Sequence, residues 1–101
     1  MMEIPSYFRL VNRDWTVLYE SEARIRELSE EDEETHGLCD PVKAVIYLAR
    51  ELDQYPLAYK RHCFWHEFVH AIKFANGEDN HDEEVVDRVA GMIQQAVESF
   101  N

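Results

Sequence analysis

Strand-like patterning fills the first half of the chain and helical patterning the second. From Tyr7 to Tyr19 the residues Tyr7, Phe8, Leu10, Val11, Trp15, Val17, Leu18 and Tyr19 are strand formers, interrupted by the turn-prone Asn12-Arg13-Asp14. That pattern predicts a hairpin or one bent strand. Glu22 to Leu28 favours a short helix, which the acidic run Glu30-Glu31-Asp32-Glu33-Glu34 and Gly37 then break. Gly37-Leu38-Cys39-Asp40-Pro41 carries turn residues, and the apolar, β-branched stretch Ala44-Val45-Ile46-Tyr47-Leu48-Ala49 after it predicts a strand.

The period then lengthens. Leu57, Phe64, Phe68, Ile72 and Ala75 recur at helical spacing between Pro56, which suits a first turn, and the stop signal Asn76-Gly77, so a helix is expected at about 56–76. A second helix starts near residue 82, with Asn80 or Asp82 as its cap. Its apolar stripe is Val86, Val89, Ile93, Val97 and Phe100, and it runs almost to the last residue. Strands ahead of two amphipathic helices imply an α+β fold: a small, mainly antiparallel sheet packed on the first long helix, with the C-terminal helix completing the core.

At 101 residues one domain is expected over 1–101, and 46% hydrophobic with 12% aromatic residues is enough apolar surface for a core. The formal net charge of −11, from 21 acidic and 10 basic residues, opposes binding to a phosphate backbone, so nucleic acid is not an expected ligand. The acidic run itself reads as a solvated loop or helix end. Cys39 and Cys63 are expected as free, partly buried thiols. The N-terminus lacks a basic segment followed by an apolar one, and no run of about 18 apolar residues occurs anywhere, so a cytoplasmic protein without membrane contact is expected.

Within the first long helix lies His66-Glu67-Phe68-Val69-His70, an HExxH sequence. Residues four apart share a helix face, so two imidazoles there can bind one tetrahedral metal ion. Glu67 is offset by one position and faces the open side of the metal, where an attacking water would sit. A catalytic zinc site needs a third protein ligand, and His81, Asp82, Glu83, Glu84 and Asp87 are the candidates beyond the helix. Glu83 and Asp87 share a face at the start of the last helix. Glu83 could then bind the metal while Asp87 accepts from the far nitrogen of a ligand histidine and orients it. These acids also favour a helix N-terminus regardless of any metal.

His66-Glu67-Phe68-Val69-His70 followed by Glu83-Glu84-Val85-Val86-Asp87 resembles the gluzincin branch of zincin peptidases, whose signature is HExxH on one helix and ExxxD on a later one. The short spacing is similar to that of minimal gluzincins and small ImmA/IrrE-type or phage-encoded peptidase-like proteins, over roughly residues 37 to 97. The resemblance implies a zinc metallopeptidase acting on a peptide or protein, with His66, His70 and Glu83 as zinc ligands, Glu67 as general base and Asp87 orienting a histidine. The larger members of that branch supply a separate Tyr or His to stabilise the oxyanion, which this sequence does not match; His81, His62, Tyr55 and Tyr59 are in plausible reach, but each reads more readily as a surface or core residue. The stretch 44–49 is expected to offer an edge to an extended peptide. The alternatives are a catalytically silent zinc-binding regulatory or interaction module on the same fold, and a metal-free protein in which HExxH is accidental.

Overall fold

In the computed structural model of the chain, which describes residues 3–29 and 36–100, the stretch 7–19 forms the hairpin. Strands β1 (Tyr7–Leu10) and β2 (Arg13–Glu20) pair antiparallel. Val11 and Asn12 between them are both left-handed, at φ 48° and 61°. A two-residue turn with this backbone matches the natural twist of the strands it joins. Helix α1 (Glu22–Leu28) follows, its first turn capped by the Ser21 hydroxyl, which accepts from the Arg24 N–H at 3.1 Å. The acidic run at 30–34, expected as a solvated loop or helix end, lies outside the described residues.

The turn expected at Gly37–Pro41 begins later than its residues suggest. Gly37–Asp40 is a strand, β3, paired antiparallel with β4 (Val45–Ala49). The chain reverses only beyond it, where the Asp40 carboxylate accepts from the N–H groups of Val42 and Lys43 at 3.0 and 3.1 Å. Strand order is β1-β2-β4-β3, antiparallel in both outer pairings and parallel between β2 and β4. The architecture is α+β, as the patterning implies.

The expectation that 44–49 offers a free edge does not hold. β4 lies inside the sheet with all five residues buried, as befits a continuous apolar run covered on both faces. The outermost strand on that side is β3.

A 3₁₀ turn, Arg50–Gln54, leads from β4 into α2 (Leu57–Ala75), and α3 (Glu83–Glu98) completes the chain. α2 lies against β3 and β4, and α3 packs on α2. Phe64 on α2 is 1% exposed and meets Phe8 and Phe68 edge to face or tilted, at centroid distances of 6.1 and 5.8 Å. Truncating a phenylalanine so enclosed costs about 3–5 kcal/mol. Val86 and Ala90 are the fully buried positions of α3. The ends of both expected apolar stripes fall outside the core: Leu57, Ala75 and Phe100 are exposed, because the sheet and the partner helix cover only the middle turns. Among the described residues no helix is long and apolar enough to cross a membrane.

Candidate metal centre

Helix α2 runs unbroken through the HExxH residues because both ends are closed by backbone bonds. The Pro56 carbonyl accepts from the N–H groups of Tyr59 and Lys60. At the other end Gly77, at φ 78°, turns the chain, with Gly77 N–H bonded to Phe74 O and Glu78 N–H to Lys73 O, both at 3.0 Å. The loop therefore folds back along the helix, and Asp82, not Asn80, opens α3 by accepting from the N–H groups of Glu84 and Val85 at 3.0 and 3.3 Å. Glu83 and Asp87 then face α2 one turn apart.

These elements bring His66, His70 and Glu83 together, with one ligand atom from each within 4.8 Å of the others. His66 Nε2 is 3.0 Å from Glu83 Oε2, and His70 Nε2 is 3.2 Å from Glu83 Oε1. Ligand atoms around a tetrahedral zinc with bonds of roughly 2.0–2.1 Å lie about 3.3 Å apart. The spacing therefore suits such an ion.

Hydrogen-bond bookkeeping tests the fit further. His66 Nδ1 is 3.1 Å from Asp87 Oδ1. Its Nε2 is as close to the Glu83 carboxylate, so each ring nitrogen faces an acceptor, and a ring that donates Nδ1–H to Asp87 has Nε2 left for a metal beside Glu83. Behind His70, its Nδ1 is 2.6 Å from His81 Nδ1. Burial lowers the pKa of His70 against the pull of Glu83, with His66 and His81 pushing the same way as burial, so the ring favours its neutral form. Nε2 of His66, Nε2 of His70 and the Glu83 carboxylate thus converge on one point, and a donor set of two nitrogens and one oxygen is one that zinc accepts.

Asp87 holds more than one ring. Its Oδ1 is also 2.7 Å from His62 Nε2. Partial burial raises the Asp87 pKa, but the hydrogen bonds and charges of His62 and His66 outweigh it and hold the carboxyl below its ordinary value. Of the other third-ligand candidates, Asp82 is spent on the helix cap and His81 stands behind His70.

Glu67 is 4% exposed and sits under β3. It lines a cleft of about 310 Å³ together with His66, Gly37, Tyr59 and His36. Across it, Tyr59 Oη lies 2.7 Å from His36 Nδ1, and His36 Nε2 is 3.5 Å from a Glu22 carboxylate oxygen. Burial, then the neighbouring Cys63, Tyr55 and Asp87, push the Tyr59 phenol up to about 12, so it keeps its proton. His36 is the residue that sequence reasoning misses here. Its partner Tyr59 is 23 positions away, and no spacing rule links them. Tyr55, by contrast, does not line the cleft but meets His36 edge to face and Tyr59 at a tilt.

A second hollow of about 220 Å³ opens on the other side of the cluster, bounded by Leu38, Phe74, His70, His81 and Glu83. Neither cysteine is in a disulfide, and Cys63 is buried. Burial and the Glu67 and Asp40 carboxylates drive the Cys39 thiol well above its usual range, which makes it a poor nucleophile. No family model, no curated protein and no solved structure matches this chain.

Proposed function

We propose that the protein is a zinc-dependent hydrolase of peptide bonds, with His66, His70 and Glu83 as the metal ligands and Glu67 as the general base. The observation that carries this is the meeting of two imidazole nitrogens and a carboxylate beside a buried glutamate that lines an open cleft. A zinc ion there would supply Lewis acidity at the scissile carbonyl and make an attacking water more acidic. Glu67, held in a nearly dry wall of the cleft, accepts the proton of that water and hands it to the departing amine. Asp87 keeps the His66 ring in its ligand tautomer. Tyr59, protonated and on the same cleft, is the donor for negative charge that develops on the carbonyl oxygen. An extended peptide would lie along the outermost strand β3 and bond to its main chain, which makes recognition depend little on substrate side chains.

The test pairs two measurements on wild type and Glu67→Gln. Elemental analysis should find about one zinc per chain in both, while mass spectrometry of a peptide mixture should find cleavage only by wild type. Loss of zinc from a folded Glu67→Gln protein would make Glu67 a ligand and overturn the mechanism. A zinc-loaded wild type that cuts nothing across varied peptides and pH would replace the enzyme with a non-catalytic zinc-binding module.

A further inference from the structure

The ring behind His70 is itself held by a backbone group that fixes one of its protons. His81 Nε2 lies 2.7 Å from the backbone carbonyl oxygen of Glu78. A carbonyl oxygen can only accept, so His81 Nε2 carries a proton. On a neutral His81 the other nitrogen, Nδ1, is then bare. It faces His70 Nδ1 at 2.6 Å, so the proton between the two rings belongs to His70. With its single proton on Nδ1, His70 presents the Nε2 lone pair to Glu83.

We infer that His81 is a positioning residue: it passes the polarity of the Glu78 carbonyl through its own ring and locks His70 in the tautomer able to bind a metal through Nε2. This rests on the assignment of His66, His70 and Glu83 as ligands given under Proposed function. Packing supports it, since the His81 and His70 rings lie edge to edge and nearly coplanar, with centroids 4.8 Å and planes 20° apart, and His81 is backed by Phe74 at 4.5 Å. The carbonyl is fixed as well. Its residue, Glu78, is tied by its N–H to Lys73 O at the end of α2 and by its side chain to Lys73 Nζ at 3.5 Å. His66 receives its orientation from a charged side chain, whereas His70 receives it from the main chain of the loop. The α2–α3 loop is therefore part of the metal centre although it contributes no ligand.

Two variants isolate this role. His81→Phe keeps a ring against Phe74 and removes both nitrogens. His81→Gln offers an amide oxygen to His70 and an amide N–H to the carbonyl, so it restores the relay in another form. The measurement is the imidazole nitrogen spectrum of ¹⁵N-labelled, zinc-free protein at about pH 8, where free histidines are neutral, alongside zinc affinity by chelator competition. Wild type should show His70 with its proton on Nδ1. His81→Phe should move that proton to Nε2 and weaken zinc binding by about 10–100-fold, and His81→Gln should recover most of both.

A wild-type His70 protonated on Nε2 overturns the inference, whether or not either variant folds. So does a His81→Phe protein that folds and binds zinc as wild type does. A wild type that shows the expected tautomer but takes up no zinc would instead sink the ligand assignment, leaving the relay itself standing.

Discussion

A β carbon built on Gly37 would lie 3.0 Å from both Cγ and Oε2 of Glu67. The glycine at the head of β3 is thus fitted to the side chain beneath it, and the strand passes as close to Glu67 as a backbone can. Alanine there forces Glu67 to shift by a few tenths of an ångström, because backbone neighbours on β3 cannot yield as easily. A misplaced base loses rate steeply. Gly37→Ala is expected to lower kcat by about 10-fold or more with zinc content unchanged, measured by steady-state cleavage and elemental analysis. Equal activity in the two proteins would show that Glu67 tolerates the displacement.

Glu83 and Glu84 are adjacent acids at the start of α3, and only Glu83 reaches the two histidines. Side chains of neighbouring helical residues point about 100° apart. Glu83→Gln should therefore weaken zinc binding by about 100-fold or more, and Glu84→Gln by no more than about twofold, in a chelator competition assay. The reverse ranking would shift the third ligand by one residue.

Acid should destabilise the zinc-free protein in two steps of the same sign. Burial holds the folded-state pKa of His70 below its ordinary value of 6.5, so the unfolded chain binds the extra proton more readily. Its contribution is complete above that value and is lost as pH falls through the folded one. Asp87, with a pKa below its ordinary 3.8 against the opposing effect of burial, contributes above 3.8 and loses its contribution in stronger acid. Melting temperature of chelator-treated protein should fall between about pH 7 and pH 5, and His70→Gln should flatten that slope. An unchanged slope in the variant would assign the acid sensitivity to other groups.

The two long helices and β4 are legible in the sequence because each carries a long or uniform signal: a 3.6-residue stripe with stop residues, or an unbroken apolar run. β3 is hidden because Gly37 and Asp40 are turn formers by type, and a four-residue outer strand is defined by its partner more than by its own residues. HExxH and the acids four apart at 83 and 87 mark the cluster in advance, since helical spacing is written into the chain. What spacing does not contain is the path of the loop between the helices. Hence His81 reads from sequence as one more possible ligand, while its ring lies behind His70. The pairing of His36 with Tyr59 is equally silent, depending on how β3 and α2 meet.

The strand order β1-β2-β4-β3 also has a meaning in time. A chain made from its N-terminus can close the β1–β2 hairpin early, since both strands and their turn are in hand. β3 has no such option: its pairing partner among the described residues is β4, which follows it in the chain and is the last strand of the described residues, with five buried residues. Until Ala49 is free to pair, residues 37–40 remain an unmatched edge and the central parallel contact is absent. The wall under which Glu67 lies is thus assembled from the inside outward, and an N-terminal fragment ending before β4 would hold the hairpin without the cleft.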